Sequence, residues 1–531
     1  MNHDVTVTKT EEAFAAQALE QIEQLVRFAR KQHLIASSDT AFVRNALLDL
    51  FHFAEPYEGY VTDQVPEHPQ DALEVLLSYG ALIGLIPDNT TTWRDLLDAR
   101  IMGLLMPRPS ETAERFRKMS EQEGVIRATD DFYSLNVNSN YIRMDRIAKN
   151  QQWAYHSDFG DLEITINLSK PEKDPKEIAL LKTMPQAHYP KCLLCRENVG
   201  YAGRANHPAR QNLRVIPLSL QGEAWFFQYS PYVYYNEHSI VLSGEHTPMK
   251  ISGKTFARLL DFIDQFPHYF IGSNADLPIV GGSILNHDHF QAGRHTFAMQ
   301  KAAIEQTFRH PQLPGVKFGT VKWPMSVVRL QGADKQEMLK AAELIMTAWN
   351  GYSDQQAEVA AWTEHESGER TPHNTVTPIA RLVADGYEMD LVLRNNRTSE
   401  EHPDGIFHPH QHLHHIKKEN IGLIEVMGLA VLPGRLQSEL EQIGAYLTGE
   451  VLVDESLQDA AHPLRQHAAW IGTLLEKYGT SLSAGEARQA LQAEVGGKFM
   501  EVLQDAGIYK RTAKGQEAFQ RFMLASGLIE A

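Results

Sequence analysis

Apolar residues recur every three to four positions near both ends of the chain, whereas the middle follows a different pattern. Between about Thr10 and Gly124, segments such as QALEQIEQLVRFARKQH and WRDLLDARIMGLL have the spacing of amphipathic helices. From about Tyr141, segments such as EITINLS and YVYYNEHSIVLS are rich in β-branched and aromatic residues, which favours strands. After Gly422 the helical pattern returns. The sequence therefore predicts an α+β protein with added helical regions at both ends.

The strand-rich middle of the chain contains a loose internal repeat. Strands, a helix in GKTFARLLDFIDQFP and further extended segments are followed by a second set, with a helix in KQEMLKAAELIMTAW and strands in TPIARLVA and YEMDLVLRNN. Each set ends in alternating histidines, at 287–291 and 408–412, which a strand would project to one face. We therefore expect four regions: N-terminal helices (1–135), two related halves (136–300 and 301–421) and C-terminal helices (422–531).

The composition restricts the classes of function. The 531 residues carry a net charge of −17, which argues against a nucleic-acid binder or a protein of anionic membrane surfaces. The longest apolar stretch, residues 76–87, is shorter than the roughly 20 residues that cross a bilayer. The two cysteines make no disulfide framework, and no export segment is visible. We therefore expect a cytoplasmic protein, in which any anionic ligand must be met by a local basic cluster.

The two cysteines, Cys192 and Cys195, have the spacing of a metal-binding or redox pair. Two thiolates supply half of the four ligands of Zn²⁺, and two histidines in polar contexts downstream, His238 and His287, are candidates for the others. We prefer a structural Cys₂His₂ zinc site. Two buried cysteines packed as small apolar side chains, or a redox pair, are the alternatives.

The segment around this pair is basic. Between residues 191 and 214 it holds Lys191, Arg196, Arg204, Arg210 and Arg214 against the single acid Glu197. Because a guanidinium donates two parallel hydrogen bonds to phosphate, the segment indicates a site for a phosphorylated ligand. A solvated loop with ordinary surface charge is the alternative.

The stretch from Asp276 to Gly293 carries the densest chemistry. Gly281 and Gly282 allow backbone N–H groups to approach an anion, and Ser283 and Asn286 add side-chain donors. The stretch matches neither the P-loop nor the dinucleotide-binding fingerprint.

His287, His289 and Gln291 alternate within that stretch, so a strand would place them on one face. A neutral imidazole is a good nucleophile towards phosphorus near pH 7. From the spacing alone, however, histidines in such a run are more often metal ligands or satisfied polar residues than nucleophiles.

Asp276 to Gly293 resembles the signature of the second family of galactose-1-phosphate uridylyltransferases, and the similarity extends to residues 106–110, 189–198, 371–375 and 407–430. The resemblance implies transfer of UMP from UDP-glucose to galactose 1-phosphate in galactose metabolism, by double displacement through a uridylyl-histidine. It also implies two histidine-triad-like halves of antiparallel sheet and helix, and a homodimer.

The resemblance also implies roles for individual residues. The first family has His-Pro-His-Gly-Gln where this chain has residues 287–291, with Asp288 replacing the proline. His289 would be the nucleophile, Gln291 would donate to a phosphate oxygen, and zinc would bind Cys192, Cys195, His238 and His287. The substrate-binding residues that we predict are Asn274, Gly281, Gly282, Ser283, Asn286, Arg204 and Arg210.

Other readings stay open at this point. A hydrolase or phosphorylase of dinucleotide polyphosphates from the histidine-triad superfamily is the main alternative, although related hydrolases carry a third histidine where Gln291 stands. A non-catalytic sensor of sugar nucleotides, with His287 and His289 both binding zinc, is another. The histidines of 402–415 would hold a second metal or, with Lys417 and Lys418, contact the acceptor phosphate.

Overall fold

The N-terminal region is helical, as its apolar period predicts. The computed structural model describes residues 2–169 and 187–531. Among these, the helices before the first strand are Asn2–Lys31, Thr40–Leu50, Gln70–Leu82, Thr91–Leu104, Pro109–Glu123, Val125–Asn138 and Met144–Ile147. Ile22, Leu47 and Leu76 are fully buried where these helices pack together. Their apolar stripes therefore form one core.

The strands fall into one large sheet and two small ones. In chain order they are β1 (Gln151–Ser157), β2 (Gly160–Asn167), β3 (Ile216–Leu220), β4 (Glu223–Tyr229), β5 (Ser239–Ser243), β6 (Phe270–Gly272), β7 (His289–Gly293), β8 (Ile304–His310), β9 (Leu313–Val321), β10 (Val327–Gly332), β11 (Trp362–Glu364), β12 (Arg370–Pro372), β13 (Asn374–Val383), β14 (Gly386–Asn395), β15 (Leu429–Pro433) and β16 (Ile529–Glu530). β11 and β12 form a two-stranded antiparallel hairpin. The other small sheet has the order β1-β2-β15, in which β15 pairs in parallel with β2.

The large sheet is built from two five-stranded units with the same strand order. The first unit is β3-β4-β5-β7-β6 and the second is β8-β9-β10-β14-β13, with β16 added beside β8. Each unit inserts a helix after its third strand, Gly253–Gln265 in the first and Lys335–Gly351 in the second. β6 and β13 join the units in antiparallel register, with Ile271 opposite Ala380. The internal repeat is thus present in the topology, and the predicted α+β class is confirmed.

The repeat does not extend to the second run of histidines. Residues 408–412 do not form a strand, and residues 411–413 form a 3₁₀ turn. The strand that occupies the place of β7 in the second unit is β14. The expectation that both runs lie on strands is therefore correct only for His289–Gln291 of the first run, since His287 and Asp288 precede β7. The proline and the crowded polar residues of the second run favour a turn.

Alternate strand residues divide the sheet between two cores. Val328 and Leu391 face the helices Gly253–Gln265 and Lys335–Gly351. Their neighbours Val327 and Val392 face the opposite way, towards the core shared with β2, β15 and the C-terminal helices. Period-two alternation of apolar residues thus buries both faces of the sheet.

The C-terminal region is mostly helical and is joined to the large sheet and to the small sheet of β1 and β2. Its helices are Leu423–Val426, Leu436–Leu447, Ala468–Tyr478, Ala484–Ala506 and Ala513–Ala525, and the short helix Ala298–Lys301 lies between β7 and β8. β15 and β16 also come from this region. No helix in residues 2–169 and 187–531 combines the length and apolarity needed to cross a membrane. The four domain boundaries stay a prediction.

Candidate active site and metal centre

Four side chains from three separate segments converge on one point. Sγ of Cys192 lies 3.5 Å from Sγ of Cys195 and 3.3 Å from Nδ1 of His287. Sγ of Cys195 lies 3.1 Å from Nδ1 of His246, and all four atoms lie within 4.8 Å of one another. A tetrahedral ion with bonds of about 2.0 to 2.3 Å separates its ligands by about 3.3 to 3.8 Å. The group therefore fits a tetrahedral metal cation.

The surroundings of this group prepare it for a cation. Nε2 of His287 lies 2.9 Å from the carbonyl oxygen of Ser243, so Nε2–H donates and Nδ1 keeps its lone pair towards the sulfurs. Burial raises the pKa of the Cys192 thiol to about 11, so a pair of thiolates here requires the charge of a bound cation.

His246 takes the place that the sequence predicts for His238, and this is a correction. His238 precedes β5 and His246 lies just beyond its other end. β5 and β7 are antiparallel, with Leu242 opposite His289, so His287 lies at the His246 end of β5. Five strand residues extend about 17 Å. His238 is therefore at the wrong end of the strand to meet the two cysteines.

The local sequence does not separate these two histidines. Each is followed by a hydroxyl residue, Ser239 in one case and Thr247 in the other. The antiparallel pairing of β5 with β7 is the signal that separates them, and it becomes visible only once the strands are paired.

His289 is the first residue of β7 and is buried. Its Nδ1 lies 2.8 Å from the carbonyl oxygen of His287, so Nδ1–H donates and Nε2 keeps its lone pair. Burial lowers the pKa of His289 to about 4, so the imidazole is neutral near pH 7. The ring is therefore in the protonation state and tautomer of a nitrogen nucleophile.

Gln291 lies two residues further along β7, on the same face as His289. Its Oε1 lies 3.2 Å from Nε2 of His238. The intervening Phe290 points to the other face and stacks on Trp225, with 4.9 Å between ring centroids. The strand thus directs His289 and Gln291 together away from the core that anchors Phe290.

Asp288, which departs from the proline of the resembled motif, is held by an ion pair. Its Oδ2 lies 3.0 Å from a guanidinium nitrogen of Arg258, and that guanidinium also pairs with Glu223. The backbone N–H of Asp288 donates to the carbonyl of Thr247, and its carbonyl accepts from the N–H of Ser243. The residue between His287 and His289 is therefore fixed through both its backbone and its side chain.

The glycine pair lies in a tightly packed turn between β6 and β7. A Cβ on Gly281 would lie 2.6 Å from the carbonyl oxygens of Ala275 and Leu277. A Cβ on Gly282 would lie 2.7 Å from Nδ2 of Asn274. The absence of side chains at both positions is therefore required by the close approach of neighbouring groups.

The segment 420–423 supports this turn. The N–H of Leu423 donates to Oδ1 of Asn274 over 2.8 Å, and Nδ2 of Asn420 donates to the carbonyl oxygen of Gly281 over 3.3 Å. Ser283 and Asn286 are exposed at the surface of the turn. The predicted residues Asn274, Gly281, Ser283 and Asn286 thus belong to one segment that leads directly into His287.

Two models of known protein families match the segments that form this site. A model of the N-terminal domain of galactose-1-phosphate uridyl transferase matches residues 79–248, and a model of the C-terminal domain matches residues 262–462. The chain belongs to the galactose-1-phosphate uridylyltransferase family. The N-terminal match contains Cys192, Cys195 and His246, whereas the C-terminal match contains His287 and His289. Both family domains therefore contribute side chains to the group that could hold a metal.

Curated relatives that bear the family name are similar to this chain over almost their whole length. A galactose-1-phosphate uridylyltransferase of Caldanaerobacter subterraneus subsp. tengcongensis is 58% identical over 507 residues, covering 95% of this chain and 97% of the relative. The proteins of the same name from Halalkalibacterium halodurans and Bacillus subtilis are 54% and 50% identical, each covering 95% of this chain and 97% of the relative.

A cavity of about 610 Å³ lies within the N-terminal family domain. Residues of the helix Thr91–Leu104 and of the loop 204–212 line it, together with Leu193 of the cysteine loop and Tyr232. The rings of Tyr232 and Tyr234 stack, and Tyr234 stacks on His238, which contacts Gln291. A continuous row of rings therefore joins the cavity wall to β7.

The two predicted arginines of the cavity differ in their contacts. Arg204 donates to the carbonyls of Tyr189 and Ala187 and to Asn206, so it holds its own loop together. The Arg210 guanidinium lies 5.6 Å from the ring centroid of Tyr141, and no ion pair holds it within residues 2–169 and 187–531. Arg210 is therefore the better placed of the two to bind an anion.

The histidines of 402–415 connect the family's C-terminal domain to the last helices. His410 lies 3.4 Å from Asp505, and His412 lies 3.3 Å from Glu501. Nδ1 of His415 lies 2.8 Å from Nδ1 of the fully buried His467. These residues form no second group of three ligands in the described part of the chain. Their contacts are those of a packing interface.

Proposed function

We propose that this protein is a galactose-1-phosphate uridylyltransferase, which transfers UMP from UDP-glucose to galactose 1-phosphate and yields glucose 1-phosphate and UDP-galactose. The names of relatives at 50 to 58% identity support the reaction. The observation that carries the proposal is the hydrogen bond from Nδ1–H of His289 to the carbonyl of His287, which leaves Nε2 available for attack on phosphorus.

The reaction proceeds by two displacements at phosphorus. In the first, the lone pair of Nε2 of His289 forms a bond to the α-phosphorus of UDP-glucose, and the bond to the bridging oxygen breaks. The electron pair of that bond leaves with glucose 1-phosphate. In the second, a phosphate oxygen of galactose 1-phosphate attacks the uridylyl-histidine and releases the neutral ring. The carbonyl of His287 stabilises the positive charge that the ring carries between the steps.

Gln291 acts on the charge of the phosphate. The amide N–H₂ of Gln291 donates to a non-bridging oxygen in our proposal, and a preorganised donor of this kind typically contributes about 3 kcal/mol to the transition state. Gln291 cannot protonate a leaving group, whereas a phosphorylated sugar needs no proton to leave. The residue type therefore favours a transferase over the hydrolase alternative.

We further propose that the metal is zinc, held by Cys192, Cys195, His246 and His287. Two thiolates and two imidazoles are a typical donor set of structural zinc. Bound zinc would neutralise the thiolates and fix three segments relative to one another. His289 lies two residues beyond the ligand His287, so its position depends on this anchor.

The cavity supports binding of the nucleotide part of the substrate. Its volume of about 610 Å³ lies within the roughly 300 to 1,000 Å³ of small-molecule sites. Arg210 supplies a cation for the phosphates, and the apolar wall at Leu193 suits a base. Cytoplasmic location and a homodimer are the remaining parts of the proposal, and they rest on the family resemblance.

The intact mass of the protein tests the proposed chemistry. We expect mixing with UDP-glucose alone to add the mass of UMP to the native chain and nothing to His289→Ala. Galactose 1-phosphate should then remove the adduct and form UDP-galactose. Release of free UMP without an acceptor would support the hydrolase alternative, and the absence of both adduct and UDP-galactose would refute the transferase.

A further inference from the structure

His238 is buried next to β7 but belongs to no metal group in the described part of the chain. Its Nε2 lies 3.2 Å from Oε1 of Gln291, and its Nδ1 is buried without a hydrogen-bond partner in the described structure. Burial lowers the pKa of His238 to about 3, so the ring is neutral. A neutral ring has one N–H, and its hydrogen-bond partner within residues 2–169 and 187–531 is the carboxamide oxygen of Gln291.

The ring of His238 is held firmly in this orientation. Tyr235 lies against one part of it at 4.5 Å between centroids, and Tyr234 stacks on it at 5.3 Å with an interplanar angle of 27°. Glu237, the residue before it, has a positive φ of 54°, which turns the backbone sharply into β5. Rotation of the imidazole therefore requires displacement of two tyrosine rings.

The loop that carries His238 is bound to the same strand as Gln291. The hydroxyls of Tyr235 and Ser239 both donate to the carbonyl of Ala292, which follows Gln291. Nδ2 of Asn236 donates to the carbonyl of Arg294. These bonds hold the segment of His238 directly against the strand of Gln291.

We propose that His238 is a positioning residue, whose Nε2–H holds the oxygen of the Gln291 carboxamide and so directs the amide N–H₂ of Gln291 at the substrate phosphate. A carboxamide has a donor end and an acceptor end, and rotation by half a turn about χ3 exchanges them. The exchanged orientation presents an oxygen to the phosphate and repels it. His238 prevents this exchange, because an N–H cannot donate to the amide nitrogen.

The inference rests on the proposed transferase function and is tested by a double-mutant cycle in the full chain. We expect Gln291→Ala to lower kcat by about 100-fold, in line with the loss of one preorganised donor. His238→Leu should lower kcat by about 10- to 30-fold with little change in KM for UDP-glucose, as expected for lost orientation. The double variant should be within about twofold of Gln291→Ala, because His238 acts only through Gln291.

A conservative replacement and a matched control separate positioning from folding. His238→Gln retains an N–H near the position of Nε2 and should recover kcat to within about fivefold of the native enzyme. His268→Leu removes a half-buried histidine that bonds Thr129 and contacts Tyr269, and it should leave kcat within about twofold. Long-range proton–nitrogen NMR of histidine-labelled protein should show Nε2–H at His238.

Several outcomes would overturn the inference. They are an unchanged kcat in His238→Leu, a double variant slowed by the product of the two single effects, loss of bound metal in His238→Leu, or an Nδ1–H tautomer of His238. If the native enzyme is active, any of these results would overturn the role of His238 and leave the proposed transferase function standing. A native chain without uridylyl transfer would instead overturn the proposed function on which the inference rests.

Discussion

The sharpest prediction comes from the position of His246, which lies next to the two cysteines where the sequence predicted His238. We expect His246→Ala to lose metal and His238→Leu to retain it. Structural zinc in small peptides binds with about 10 to 16 kcal/mol at neutral pH. If four ligands share this equally, one ligand contributes about 2.5 to 4 kcal/mol, which weakens binding by roughly 100- to 1,000-fold. In our proposal His246 is a full ligand, since its Nδ1 lies 3.1 Å from Sγ of Cys195.

The loss of metal should also lower stability. The metal group joins the loop of Cys192 and Cys195 to the ends of β5 and β7. A ligand that binds only the folded chain stabilises it in proportion to the logarithm of its affinity, so folding loses about 3 kcal/mol at fixed metal concentration. For the unit that unfolds first, this corresponds to a midpoint lower by roughly 5 to 10 °C.

Metal content and competition with a chelator measure this directly. Native protein, His246→Ala and His238→Leu are dialysed against the same buffered zinc concentration, and bound metal is counted by mass spectrometry. We expect about one zinc per chain in the native protein and in His238→Leu, and a strongly reduced content in His246→Ala. Full retention by His246→Ala, together with loss in His238→Leu, would refute the geometric argument from the antiparallel strands.

Three further predictions concern other parts of the chain. Burial raises the pKa of Asp98 to about 6, so its carboxyl favours folding most below pH 4 and this contribution is lost as the pH rises through 6. The stability of Asp98→Asn relative to the native chain should therefore rise by up to about 3 kcal/mol between pH 4 and 7, as measured by urea unfolding. A pH-independent difference in stability would contradict this. Gly281→Ala should lower kcat/KM at least tenfold, because its Cβ would clash with two backbone carbonyls, whereas Gly472→Ala, with open space around it, should leave activity unchanged. Arg210→Gln should raise KM for UDP-glucose about tenfold with little change in melting temperature. Arg204→Gln should instead lower the melting temperature, because Arg204 holds its own loop together. The opposite pattern would exclude Arg210 as the phosphate contact.

Much of the architecture could be predicted from local patterns. Amphipathic periods found the helices at both ends, because burying one face of a helix requires apolar residues every three to four positions. The change to β-branched and aromatic residues found the strands, and the order of elements revealed the repeat that appears as β3-β4-β5-β7-β6 and β8-β9-β10-β14-β13. The fusion of both units into one sheet through β6 and β13 was not predicted, since pairing between distant segments leaves no local pattern.

The candidate site divides in the same way. By itself, the sequence determined the cysteine pair, the alternation of His287, His289 and Gln291, and the glycine turn before them, because each depends on residues close together in the chain. Only the tertiary structure decided between His238 and His246, since antiparallel strands bring opposite chain ends together and no local spacing records which end meets the cysteines. It also separated Arg204 from Arg210, because the bonds that one arginine makes to its own loop exist only after the loop has folded.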